Sequence, residues 1–292
     1  MVESSAHIAV CGAGTMGTGI AFLCARAGWK TTLYDPLESA RERAIRTVDE
    51  IMLKPLQQGT LPESEAAAIV KRLATTDNLA TLGDCDVAIE AIIEDKQAKI
   101  SLFSALEETL PSTAILASNT SSLSINALAA PLKYKDRFIG MHFFNPAHIM
   151  KLVEIIRGIK TSPKTVEIAL DFVARLGKTA VEAKDVPGFI VNRVARNYYL
   201  EAMRIVSEGG ATVPQIDALM RSAGFKMGPF ELVDLIGVDI NFAVSRSIWE
   251  QYFYEPRFAP SLLQKQYVDA GLWGRKTGEG FYRYDANGRK LE

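Results

Sequence analysis

Short runs rich in Ile, Val, Phe and Thr alternate with longer stretches whose apolar residues recur every three or four positions through the first two-thirds of the chain. The short runs are His7–Cys11, Lys30–Tyr34, 86–92, 114–118, 138–144 and Leu152–Arg157, with a last one at 178–185, and they are predicted as strands. The longer stretches at 16–27, 36–58, 63–73 and 96–110 are predicted as helices. Strand and helix in alternation imply a mainly parallel sheet covered on both faces.

The pattern changes at Val186-Pro187-Gly188. Beyond it Ile190, Val194, Tyr198, Ala202 and Ile205 mark one face of a helix that Gly209-Gly210 ends, and further helical periodicity runs to about residue 269. The expected architecture is α/β: a Rossmann-type, mainly parallel sheet over residues 1–187, then an all-α domain over 188–292. Neither a solenoid repeat nor a low-complexity segment interrupts it.

At 292 residues with 48% hydrophobic and 23% charged positions, the chain is long and apolar enough for two cores, which excludes a disordered or disulfide-stapled miniature. Thirty-three basic against 34 acidic residues leave a net charge of −1, so no global field recruits nucleic acid or anionic lipid, and an anionic ligand needs a local site. Cys11, Cys24 and Cys85 lie far apart among apolar or small neighbours, as buried thiols of a reducing compartment do, and no metal-ligand spacing appears. The uncharged runs 4–25 and 109–132 are too rich in glycine, proline and hydroxyls to span a bilayer, and Glu3 stands where a secretory leader carries a cation. A cytoplasmic protein is expected.

The first strand runs directly into Gly12-Ala13-Gly14-Thr15-Met16-Gly17 and an apolar helix. A G-x-G-x-x-G match is weak alone, but here a strand precedes it, a helix follows, and Asp35 ends the next strand 23 positions beyond Gly12. The first glycine permits a tight turn, the second lets the backbone approach a pyrophosphate, and the third lets helix and strand close together. Asp35 would bind ribose hydroxyls and repel a 2′-phosphate, favouring NAD over NADP. Asp followed by Pro36 also reads as a helix cap, and both roles are compatible. Arg41 and Arg43 read as a solvated helix face.

Of three histidines, His7 opens a strand away from the ligand end and His148 lies in a loop. His142 sits in the apolar run 138–144 ahead of Asn145-Pro146, and Glu154 is a carboxylate inside Leu152-Val153-Glu154-Ile155-Ile156. A charge in an apolar strand is costly unless paired. A turn at Asn145-Pro146 would bring the return strand alongside and set Glu154 against His142, leaving an oriented imidazole as a base. The alternatives are a core histidine, and a Glu154 that faces solvent with His148, in the loop, as the functional histidine.

These residues resemble the L-3-hydroxyacyl-CoA dehydrogenases, including the short 3-hydroxybutyryl-CoA type. The resemblance spans essentially the whole chain: the glycine turn, Glu90-Ala91-Ile92-Ile93-Glu94, Ser118-Asn119-Thr120-Ser121-Ser122, His142-Phe143-Phe144-Asn145-Pro146 with Lys151-Leu152-Val153-Glu154, Pro187 to Arg193, Gly228 to Leu232 and Gly274 to Tyr282. It implies NAD-dependent interconversion of an (S)-3-hydroxyacyl-CoA and its 3-oxo form, with His142 as base and Glu154 orienting it. It also implies that Ser121 and Asn192 bond around the reacting oxygen, that Asn145 lies at the substrate, and that Gly12, Gly14, Thr15, Met16, Gly17, Asp35, Glu94, Lys99 and Asn119 serve the cofactor. Lys54 matches a lysine that meets CoA phosphates in relatives, although Gln58 replaces a second lysine. Ala147-His148-Ile149 departs from the usual second proline, which bears on acyl length. A homodimer through the helical domain is implied. The rival readings are a hydroxyacid or carnitine-like alcohol dehydrogenase without CoA, and a non-catalytic NAD-binding protein. The first is separated by its turnover of small acids, and the second is disfavoured by a buried base.

Overall fold

The structure, a computed structural model, describes residues 3 and 5–291, and the chain divides into two compact units that meet in sequence at Val186 and Pro187. The first unit contains β1 (His7–Cys11), α1 (Thr15–Arg26), β2 (Lys30–Tyr34), α2 (Glu38–Gln57), α3 (Glu63–Arg72), β3 (Leu73–Thr76), β4 (Val87–Glu90), α4 (Lys96–Thr109), β5 (Ile115–Ser118), α5 (Ile125–Ala129), β6 (Phe138–Phe143), β7 (Leu152–Arg157), α6 (Pro163–Arg175) and β8 (Thr179–Lys184). These strands form one sheet in the order β3-β2-β1-β4-β5-β6-β7-β8. Every neighbouring pair is parallel except β6 and β7.

Strand burial follows position in the sheet. All residues of β1, β4, β5 and β6 are buried, as a parallel sheet covered on both faces requires. Helix α1 is buried from Gly17 to Ala25 and packs against β1, β2, α2 and α3. Helix α2 instead buries a single stripe, Ala40, Ala44, Val48 and Met52, at four-residue intervals. Trp29 and Phe172 stack with ring centroids 4.8 Å apart in the same core.

Three elements differ from the sequence reading, the first being the short helix α5, whose five residues are too few to show a helical period. Strand β3 follows α3 without a break; its four residues are half-buried or exposed at the sheet edge, so no apolar run announces it. Helix α6 lies outside the predicted helices, although Ser162 caps it and Pro163 opens it.

The second unit contains α7 (Val191–Ser207), α8 (Val213–Ser222), α9 (Pro229–Ile236), α10 (Val238–Gln251) and α11 (Leu262–Asp269). Its core gathers Tyr199, Met203, Ile216, Phe230, Val233 and Val238. The buried Asp217 carboxylate accepts the Phe230 and Glu231 N–H groups that open α9 and the Tyr282 hydroxyl. This helical unit after a mainly parallel sheet is the architecture expected from the sequence. Among the described residues no helix is long and apolar enough to cross a membrane.

Candidate active site

The glycine turn is built as its sequence implies. A Cβ on Gly12, whose φ is +108°, would lie 2.6 Å from the Ala91 carbonyl oxygen, and one on Gly17 would lie 1.8 Å from that of Gly12. A Cβ on Gly14 would meet nothing within 4 Å, so packing within the protein does not dictate this glycine. Gly14 caps α1, of which Thr15 and Met16 are the first residues, with no side-chain cap and no acidic residue in the first turn. Helix N–H groups and the positive end of the dipole are therefore presented to an anion, which fits the pyrophosphate of NAD. Replacement of Gly17 by alanine is expected to raise the KM for NAD at least about tenfold, because the turn must open to relieve the clash; an unchanged KM in steady-state assays would show that the turn does not hold the cofactor.

Asp35 departs from the capping alternative. Helix α2 begins at Glu38 with Leu37 as its cap, while the Asp35 carboxylate accepts the Ala13 N–H at 2.8 Å and the Leu37 N–H at 2.9 Å. It thus bridges the glycine turn and the end of β2, where a ribose-binding carboxylate belongs. Arg41 is not on a solvated face: its guanidinium donates to the Asp35 carbonyl and to Asp77.

At the carboxyl ends of β4, β5 and β6 a cavity of about 310 Å³ is lined by Met16, Glu94, Lys99, Asn119, Ser121, His142 and Asn145. Open parallel sheets bind ligands at this end of their strands. The β6–β7 pairing sets His142 directly opposite Glu154, and the imidazole Nδ1 lies 2.7 Å from Glu154 Oε2. Both side chains are buried, at 7% and 1% exposure, so Glu154 does not face solvent. Asn145-Pro146, a cis peptide, begins the connection between the two strands. The Asn119 amide oxygen accepts the Phe143 N–H at 2.9 Å, tying the end of β5 to the strand that carries His142.

Glu94 organises the serine loop. Its Oε1 accepts from the Thr120 hydroxyl, the Ser121 and Ser122 N–H groups and the Ser122 hydroxyl, and its Oε2 pairs with Lys99 at 3.1 Å. Burial opposes its charge, but the Lys99 ammonium and these hydrogen bonds outweigh burial and hold the carboxyl below its ordinary range. Lys99 also pairs with Glu90, which accepts from Ser118 Oγ at 2.7 Å and from Ile92 N–H. Burial raises the Glu90 carboxyl, with Lys99 countering. The family resemblance implies a cofactor role for Glu94 and Lys99 and assigns none to Glu90. A carboxylate inside the apolar run Val87–Glu90 was the available signal.

Lys54 is exposed on the last turn of α2 and does not line this cavity. Asn192 belongs to the second unit, in the first turn of α7. His148 lines a different cavity with Arg26, Lys151, Arg175 and Lys178, where burial and Lys178 lower its basicity.

The model of the 3-hydroxyacyl-CoA dehydrogenase NAD-binding domain matches residues 7–186, and that of the C-terminal domain of the same family matches 188–284. The chain is 43% identical over 96% of its length to a 3-hydroxyadipyl-CoA dehydrogenase of Escherichia coli, of which it spans 59%. It is 39% identical to a probable 3-hydroxybutyryl-CoA dehydrogenase of Deinococcus radiodurans, covering 94% of this chain and 99% of that one. The crystal structure of (S)-3-hydroxybutyryl-CoA dehydrogenase from Ralstonia eutropha superposes with a TM-score of 0.92 at 36% identity, over 96% of this chain and 99% of that one. The chain belongs to the 3-hydroxyacyl-CoA dehydrogenase family and is an NAD-dependent oxidoreductase of that type.

Proposed function

We propose that the chain oxidises an (S)-3-hydroxyacyl-CoA, and reduces the 3-oxoacyl-CoA, with His142 and Glu154 as its proton-transfer pair. The observation that carries this reading is the 2.7 Å bond between two buried groups at a cavity that also holds Ser121. Bound NAD supplies the hydride acceptor. In oxidation His142 takes the proton of the 3-hydroxyl as the carbonyl forms, and Glu154 fixes the ring and balances its positive charge. Ser121, held by Glu94, donates to the C3 oxygen. Asn192 is a second donor to substrate, and Lys54 a contact for CoA phosphate.

The E. coli relative is a 3-hydroxyadipyl-CoA dehydrogenase, which makes dicarboxyl thioesters candidates for testing here. Rates across short, medium and dicarboxyl CoA thioesters, read as NADH oxidation with the 3-oxo forms, set the class. Turnover of free hydroxy acids with none of any CoA thioester would transfer the assignment to a CoA-independent dehydrogenase.

A homodimer through the second unit is part of the proposal, supported by the exposed apolar side chains of Val194, Phe225 and Leu219 there. Light scattering that returns a monomer mass would remove it. A cytoplasmic setting is proposed from the three reduced, buried cysteines.

Replacement of Asp35 by alanine is expected to lower kcat/KM for NAD about tenfold and to narrow its margin over NADP. The carboxylate that faces the ribose is lost while Arg41 stays beside it. Equal preference in mutant and parent, measured with both coenzymes, would assign Asp35 to the Ala13 and Leu37 hydrogen bonds alone.

A further inference from the structure

We propose that His7, Asp84 and Cys85 form a transition-metal site at the amino-terminal end of the sheet, away from the cofactor turn and independent of the dehydrogenase reaction. His7 begins β1, whose other end leads to Gly12. The five residues of β1 rise roughly 3.3 Å each. Asp84 and Cys85 precede β4, the neighbour of β1 in the sheet. One ligand atom from each of the three residues lies within 4.8 Å of the others.

The ligand-bearing backbones are already fixed. His7 N–H donates to Asp86 Oδ2 at 2.9 Å, and Asp86 N–H donates to the His7 carbonyl at 2.8 Å. Cys85 N–H is held by the Leu82 carbonyl at 2.9 Å. The His7 and Cys85 side chains are buried, whereas the Asp84 side chain is 65% exposed and offers the entry path.

The ring environment suits metal ligation. His7 Nε2 lies 2.8 Å from Thr32 Oγ1, and Nδ1 lies 2.7 Å from Asp84 Oδ1. With the proton on Nε2, donated to the Thr32 hydroxyl, the Nδ1 lone pair points to the carboxylate side, and a ligating histidine needs just such an outer partner. Metal–nitrogen and metal–oxygen bonds near 2.0–2.2 Å at a tetrahedral angle place N and O about 3.3 Å apart, so the Asp84 carboxylate must withdraw by roughly half an ångström. Its exposure permits that, and Oδ2 keeps Lys30, now at 3.1 Å. Cys85 is a buried free thiol. The S–H proton leaves to solvent as the metal–sulfur bond forms, and solvent water completes the coordination. A histidine, a carboxylate and a thiolate together select Zn²⁺, Co²⁺ or Cd²⁺ over Mg²⁺ or Ca²⁺.

The probe is Cd²⁺, added to the full chain freed of metal by chelation, with thiolate-to-metal charge-transfer absorption and thermal melting as readouts. One equivalent is expected to produce the ultraviolet band and raise the Tm, since a ligand of the native state stabilises it. Cys85→Ser is expected to abolish the band. Asp84→Asn, an exposed change that spares the core, is expected to weaken affinity at least tenfold, and Cys24→Ser to retain the parent response. A band that persists in Cys85→Ser, an unaltered affinity in Asp84→Asn, or neither band nor Tm shift in the parent would overturn the site.

Discussion

His142→Gln is expected to reduce turnover of the 3-hydroxyacyl-CoA by about 10²–10⁴-fold, the usual contribution of a positioned general base, equivalent to about 3–5 kcal/mol of barrier. Glutamine fills much of the imidazole volume, and its amide N–H can still donate to Glu154, so the buried carboxylate keeps a partner and the fold survives. It has no nitrogen that accepts a proton at neutral pH. NADH affinity should stay within about twofold, because the glycine turn and Asp35 are built on β1, α1 and β2 rather than on β6. Fluorescence titration with NADH, a thermal melt and steady-state rates separate the cases. Loss of NADH binding with the fold intact would mean that the histidine serves the cofactor, and retained turnover would remove it from the chemistry.

The His142–Glu154 pair was legible because it required only local inference. Twelve positions separate the two residues, a turn-forming Asn-Pro lies between, and an ionisable side chain in each apolar run has to be accounted for. The same reasoning applies to Glu90, which ends an apolar strand as Glu154 interrupts one. Its partner Lys99 lies nine positions on, across a turn and into α4, and reads from sequence as an ordinary helix cation. Lys99 is 1% exposed there, a burial that periodicity does not forecast.

Longer separations follow the same rule. The His7–Asp84 contact spans 77 positions and exists because β4, not β3, lies beside β1. That ordering belongs to the crossover of the doubly wound sheet and not to any local motif. Strand β3 escaped for a simpler reason: at the edge its side chains are half-buried or exposed, so alternation is faint, and α3 runs into it without glycine or proline. The glycine turn was the most readable feature of all. At Gly12 and Gly17 any Cβ would strike backbone, so the residue type is dictated by space and not by ligand alone.

Glu154→Gln is expected to lower turnover about 10²-fold, and the direction of reaction should decide by how much. The amide can still accept the Nδ1–H of His142, so ring orientation persists while the negative charge 2.7 Å away is lost. In oxidation the imidazole must start neutral and end protonated, so removing the carboxylate destabilises the product of proton transfer. In reduction the protonated ring is the starting acid, and the charge that balances it is gone before the reaction begins. Reduction of a 3-oxoacyl-CoA near pH 7 should therefore suffer more than oxidation at alkaline pH. Initial rates in both directions across pH 5.5–9.5, with a melt to show that the buried amide is tolerated, make the test. An equal loss in both directions would reduce Glu154 to a packing role, because a group that only holds the ring in place has no reason to treat the two protonation states differently.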